Sequence, residues 1–252
     1  MRRFVMMHKA DAKIEAGEMP PAELLERVGG LIGEMVDAGA FLAGEGLAPT
    51  SEGVRLHFAK GRRSVTYGPF VGSNELVASF AIVRVRALDE AIDWASRIAK
   101  ILGDVDLYIG RVKEPWDLGL VEKPKDAPVR YMIVRKADPA YESNTPPSAD
   151  IQVRMRQLLS EMTKAGVLQV AERLLPSATS VRLTVSNGKH LLVDGPFTES
   201  KELIAGYCLV AVDARDAAVT WGVRFADILR DYGGADKVEV DIREVAEDSG
   251  YV

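Results

Sequence analysis

The sequence predicts an α+β fold in which one unit, of order β-α-β-hairpin-β-α-β, occurs twice and the two copies cover each other's sheets. Three observations lead there: a domain-sized internal repeat, apolar patterns inside each copy that alternate between strand and helix spacing, and strands apolar on both faces.

The repeat has an offset of 127 residues, from Arg3-Phe4 to Arg130-Tyr131. It holds at Glu34-Met35 and Glu161-Met162, at Ala38-Gly39 and Ala165-Gly166, and at Val54-Arg55-Leu56 and Val181-Arg182-Leu183. Further on it pairs Gly68-Pro69-Phe70 with Gly195-Pro196-Phe197 and Trp94 with Trp221. Such a period is too long for a solenoid repeat. Residues 1–114 and 129–252 therefore read as two copies, joined by a proline-rich and charged linker over 115–128.

Each copy opens on a strand, Arg3–Lys9 or Arg130–Lys136, whose two-sided apolarity suits a central position. A helix follows on Leu24, Leu25, Val28, Leu31, Ile32, Met35 and Val36, with Ile151, Met155, Leu158, Leu159 and Met162 as its counterpart. Gly39 and Gly166 stand where C-terminal caps belong. Gly29, Gly30 and Gly33 weaken the first of these helices, and close packing of that face is the expected compensation. A short strand comes next, Ala40–Glu45 or Val167–Glu172, then a hairpin marked by Asn187-Gly188 in the second copy and Lys60-Gly61 in the first. A long apolar strand (Val77–Val85, Gly206–Val212), a helix on Leu88, Ala91, Ile92, Ala95, Ile98 and Leu102, and a last strand (Asp106–Val112, Val238–Ile242) complete the unit. Without the hairpin this is the βαββαβ order of ferredoxin-like folds. Helices cover one sheet face, and the second copy is expected to cover the other.

Composition narrows the functional classes. Of 252 residues, 47% are hydrophobic and 27% charged, with a net charge of −5, which suits a soluble globular chain and argues against a general nucleic-acid binder. The apolar run after Met1-Arg2-Arg3 is too short for a secretory signal, and no stretch has the length of a membrane span, so a cytoplasmic protein is expected. A single cysteine, Cys208, allows no disulfide within the chain. No metal-ligand spacing and no phosphate-binding glycine loop occurs, so no metal and no cofactor is expected.

The segment Asp194-Gly195-Pro196-Phe197-Thr198-Glu199-Ser200-Lys201-Glu202-Leu203-Ile204-Ala205-Gly206-Tyr207 resembles the YCII-related family, in particular its DGPF-domain branch. In the first copy the resemblance rests on Met6-Met7-His8-Lys9-Ala10, Gly44-Glu45-Gly46-Leu47-Ala48-Pro49 and Gly68-Pro69-Phe70. It implies a ferredoxin-like domain that pairs into a dimeric α+β barrel with a cavity between the sheets. Here the two copies would play both subunits within one chain. Relatives in the wider superfamily act on small ring-derived acids as lyases or dehydrochlorinases, and a His and an Asp serve in some as a proposed acid/base pair. The copies depart from the pattern differently. Tyr67 replaces the motif aspartate in the first, which also has Gly72 and Asn74 where the second has Glu199 and Lys201, and Ala171-Glu172-Arg173-Leu174 replaces Gly-Glu-Gly-Leu in the second.

The candidate catalytic residues are Asp194, Glu45 and His8. Asp194 either orders a turn or points its carboxylate at a pocket together with Glu199 and Lys201. His8 is the histidine on a predicted central strand, and an imidazole there can serve as a base or as a structural core residue. Lys9 and Lys136 end equivalent strands, where they either reach solvent or meet Glu45 and Glu172 as partly buried pairs lining the cavity. Arg55 and Arg182 leave the hairpins on the face opposite the apolar one, toward solvent or, at a barrel mouth, toward a carboxylate. With Tyr67 they complete the ligand-binding candidates. This set suits a small organic acid, as a cofactor-independent lyase or isomerase substrate. A non-catalytic binding or stress-response accessory protein is the alternative. RNA recognition would need Phe4, Phe80, Tyr131 and Tyr207 exposed on the sheets. No nucleic-acid or membrane partner is expected, and two chains could associate through outer edges.

Overall fold

Strands and helices form where the apolar periodicity places them. In the computed structural model, which describes residues 1–72, 76–197 and 203–247, the first half forms β1 (Arg2–Lys9), α1 (Ala12–Glu15), α2 (Ala22–Asp37), β2 (Phe41–Gly46), β3 (Val54–Ala59), β4 (Arg62–Tyr67), β5 (Val77–Val85), α3 (Leu88–Leu102) and β6 (Val105–Arg111). The second half forms β7 (Val129–Lys136), α4 (Pro139–Glu142), α5 (Ala149–Lys164), β8 (Leu168–Arg173), β9 (Val181–Ser186), β10 (Lys189–Asp194), β11 (Ile204–Val212), α6 (Arg215–Gly233) and β12 (Lys237–Glu244). The single-turn helices α1 and α4 escape periodicity analysis because one turn shows no repeat. Their N-caps are legible all the same: Asp11 accepts the Ile14 N–H at 2.8 Å and Asp138 accepts that of Tyr141 at 2.7 Å.

The strands form two six-stranded antiparallel sheets, β10-β9-β12-β1-β11-β2 and β4-β3-β6-β7-β5-β8. Each sheet mixes the two copies, where the repeat alone suggests one sheet per copy. β1 runs between β11 and β12, and β7 runs between β5 and β6. Setting the hairpins aside, each sheet keeps the ferredoxin-like order of fourth, first, third and second strand. Its first and second strands belong to one copy and its third and fourth to the other. Copies so alike present the same apolar faces, so either partner satisfies the pattern, and residues 47–53 carry the chain from one sheet to the other.

The sheets lie face to face over a shared apolar layer that includes Val5, Met7, Tyr207 and Leu209 from one and Phe80, Ile82, Met132 and Val134 from the other. The rings of Phe80 and Tyr207 meet at 5.0 Å. The two sheets do not close into a barrel. Reciprocal ion pairs tie them instead: Arg3 reaches Glu172 at 2.6 Å, and its counterpart Arg130 reaches Glu45 and Glu114. This layer fills the space where a hollow between the sheets is expected. α2 and α6 cover the outer face of the first sheet, and α3 and α5 that of the second. Phe4, Phe80, Tyr131 and Tyr207 are all buried and leave no stacking platform for RNA. Among the described residues no helix is long and apolar enough to cross a membrane.

Two expectations about local packing change. A Cβ built on Gly29, Gly30 or Gly33 meets nothing within 4 Å, so these glycines are exposed and no close contact offsets their cost to α2. Nor do the two hairpin arginines stand free in solvent: Arg55 lies over the Phe70 ring and Arg182 over the Phe197 ring, each at 4.4 Å.

Strand exchange makes the halves interdependent. Residues 1–114 and 115–252 expressed together should co-purify as one folded heterodimer. Each expressed alone should fail to give a folded monomer, as judged by light scattering and circular dichroism. Two independently folded monomers would contradict the exchanged pairing.

Candidate functional site

The largest cavity described lies between α2 and the first sheet, not between the sheets. It measures about 730 Å3. Glycines open it: Gly44 and Gly46 of β2 and Gly206 of β11 put no side chains on this part of the sheet. A Cβ on Gly46 would approach only Lys113 Cβ, at 4.0 Å. α2 roofs the space without filling it. Leu31 and Met35 are its buried residues, whereas α5 buries Met155, Leu158, Leu159 and Met162 against the other sheet. Val28, Ile32, Phe41, Phe225 and Leu229 make the walls apolar. Polar groups also line it: Lys13, Lys113, Lys237, Asp11, Glu18 and Glu239. The linker contributes Pro115, Leu118 and Leu120.

His8 sits on the floor, opposite Gly206 in the β1–β11 register. A side chain at Gly206 would collide with it, since a Cβ there lies 2.6 Å from His8 Cε1. The imidazole stands edge-on to Phe225 with centroids 5.5 Å apart, and its Nδ1 has no hydrogen-bond partner among the described residues. Burial drives its pKa down to about 4; Asp11 pulls upward, while Lys113 and Lys9 reinforce the fall. The ring is therefore neutral at pH 7. Burial likewise lowers the pKa of Lys113.

This burial has a pH signature. The unfolded chain takes up a proton at His8 near pH 6.5, and the folded chain only near 4. Stability from this group is thus complete above pH 6.5 and lost as the pH falls toward 4, by about 3 kcal/mol. Glu45 and Glu172, whose pKa values burial raises, act in the opposite sense near pH 4.5, so a variant is needed to isolate the effect. In urea unfolding, His8→Gln should flatten the slope between pH 6.5 and 4. An unchanged slope would contradict a buried neutral imidazole.

The equivalent position under α5 is much reduced. Two spaces of about 60 and 160 Å3 remain there, the smaller lined among others by Ser79, Arg135, Met155, Ala171 and Arg173. These residues replace Gly206, His8, Val28, Gly44 and Gly46. Two arginines and a methionine thus occupy the volume that a histidine, three glycines and a valine leave open.

The remaining candidates are placed as follows. His8, Lys9 and Glu45 line the large cavity, with the Glu45 carboxylate turned to Arg130. Lys9 does not pair with Glu45 as anticipated, nor Lys136 with Glu172. Both carboxylates are engaged by arginines of the opposite sheet, while Lys9 meets Asp241 at 2.9 Å and Lys136 ends β7 opposite Val77. Arg182 joins Lys9 on Asp241, at 2.7 Å. Asp194 and Tyr67, at equivalent strand ends, stand outside the cavity: Asp194 is exposed and pairs with Arg215 at 2.9 Å, and Tyr67 is exposed. Glu199 and Lys201 lie outside the described residues. Sequence reasoning missed Lys113, Phe225 and the linker. The clustered glycines of Gly44-Glu45-Gly46, lost as Ala171-Glu172-Arg173, were the signal for the open space.

Fold and site define a tandem ferredoxin-like protein with a helix-roofed cavity opened in one copy and reduced in the other. The YCII-related domain matches residues 1–105 and 129–227, and the chain belongs to the YCII-related family, with the domain in tandem. It is also 35% identical over 68 residues to an uncharacterised protein of Rhizobium meliloti (strain 1021), a stretch covering 26% of this chain and 55% of that protein. The chain thus spans about half the length of the curated relative it matches.

Proposed function

We propose that the protein binds a small organic acid with an apolar body in the cavity beneath α2. The observation that carries this reading is the difference between the copies: one position is opened by glycines to about 730 Å3, and among the described residues its counterpart keeps only two spaces of about 60 and 160 Å3. Core packing alone favours closing such a space. The walls suit a hydrocarbon or aromatic body, and Lys113 in the lining suits a carboxylate. His8 brings a neutral ring with an unpartnered nitrogen to the floor. It can accept a hydrogen bond or, in a lyase or isomerase, a proton beside the carboxylate.

One observation favours binding without turnover. A histidine held near pKa 4 is a weak base at pH 7. Mass spectrometry of each bound acid after incubation separates the two readings, since a changed mass or isomer shows catalysis.

Gly46→Arg imports the residue that closes the other copy. Titration calorimetry with monocarboxylates from benzoate to octanoate should show binding to the wild type. The variant should bind at least about tenfold more weakly, a loss of about 1.4 kcal/mol or more, with its circular dichroism unchanged. Equal affinity in the variant, or no binding of any acid to the wild type, would overturn the reading.

A further inference from the structure

The larger of the two spaces left at the equivalent position in the second copy differs in chemistry from the cavity beneath α2. About 160 Å3 lies between the end of β7, the end of β8 and the segment from α4 to α5, lined among others by Arg135, Asp138, Asn144, Thr145, Ile151 and Arg173. Both arginines belong to the second copy alone, because the first has His8 and Gly46 at these places.

Their hydrogen bonds are incomplete. Arg135 gives Nη2 to Asp138 at 3.1 Å, but its Nε is buried without an acceptor among the described residues. Arg173 is half-buried and has no carboxylate within ion-pair distance among the described residues. The Tyr141 hydroxyl, beside the same pocket, is committed to the carbonyls of Ala78 and Leu174. The neighbouring acids are engaged elsewhere: Glu172 holds Arg3, and Glu142 accepts from Ser177. One carboxylate, Asp138, thus faces two guanidinium groups.

We propose that this pocket binds a small oxyanion of the phosphate or sulfate class, gripped between Arg135 and Arg173. Planar guanidinium forks match such an anion in geometry as well as charge. The volume corresponds to about five waters, room for one tetrahedral anion. The Asn144 and Thr145 side chains line the same pocket and add polar groups at its edge. The duplicated position has thus diverged into an apolar cavity in one copy and an anion pocket in the other.

The test uses the full chain at constant ionic strength, with chloride as the background anion. Inorganic phosphate should give a saturable 1:1 heat in titration calorimetry and raise the melting temperature by about 5 °C well above its Kd. Phenyl phosphate in a second arm separates a free anion from a phosphate ester: tighter binding than phosphate identifies the ester, equal or weaker binding the free anion. Arg173→Gln should weaken either ligand at least tenfold, while Gly46→Arg, in the other copy, should leave inorganic phosphate binding unchanged. Should Arg173→Gln fold poorly, Arg173→Lys keeps the charge, loses the fork and should still bind more weakly. No saturable heat with the wild type, or wild-type affinity in both Arg173 variants, would overturn the proposal.

Discussion

Gly195→Ala is expected to cost about 3 kcal/mol or more, or to prevent folding. A Cβ at Gly195 would lie 1.8 Å from the carbonyl oxygen of Ser177, and one at Gly68 equally close to that of Thr50. The obstacle is backbone, so no rotamer change relieves it. Nor can that backbone move freely. Ser177 Oγ accepts the Phe197 N–H at 2.9 Å and donates to Glu142 at 2.5 Å, and the Ser177 N–H donates to the same carboxylate at 2.9 Å. The first copy repeats the arrangement with Phe70, Thr50 and Glu15. The Gly-Pro-Phe motif therefore docks each hairpin exit onto the single-turn helix of its own copy. Urea unfolding of Gly195→Ala and Gly46→Ala gives the contrast: a large loss for the first and a few tenths of a kcal/mol for the second, whose added methyl meets open space. Comparable effects would contradict the docking role.

Asp241→Ala should cost about 3–5 kcal/mol. Its carboxylate is 4% exposed between Lys9 at 2.9 Å and Arg182 at 2.7 Å. Burial opposes ionisation, but the two cations outweigh it and hold the pKa below the usual carboxylate range. The contribution is therefore present above the ordinary aspartate pKa and lost as the pH falls through the lowered folded value. Removing the carboxylate takes an anionic partner from a Lys9 side chain that is 5% exposed and from Arg182. Lys9→Met combined with Asp241→Leu should cost clearly less than the two single changes added together, because the Lys9–Asp241 interaction is then lost only once. Strict additivity in thermal unfolding would contradict the pairing.

The element order was legible because each strand and long helix carries its own periodicity. Val181–Val185 alternates, and Leu88 to Leu102 recurs at helical spacing. Strand partners were not legible. Arg3–Lys9 and Arg130–Lys136 are so alike that pairing within a copy and pairing across copies satisfy the same pattern. The two-sided apolarity of these strands did imply a second sheet as cover. It could not say that Phe80, Tyr207, Met7 and Met132 fill the space between the sheets, since side-chain volume at an interface depends on which residues face each other. His8 and Glu45 were found from their chemistry. Lys113 and Phe225 were not, because the fold alone brings the end of the first copy and α6 to one cavity. Asp194 illustrates the reverse: the motif is distinctive in sequence, yet its carboxylate stands in solvent beside Arg215.

The account rests on a cavity between α2 and the first sheet that accepts an organic acid. A crystal structure of the full chain with the tightest-binding monocarboxylate of the benzoate-to-octanoate series tests this most directly. The expected result is one molecule per chain beneath α2, its body against Val28 and Phe225 and its carboxylate toward Lys113. Density in the layer between the two sheets, or none beneath α2 at saturating ligand, would contradict it.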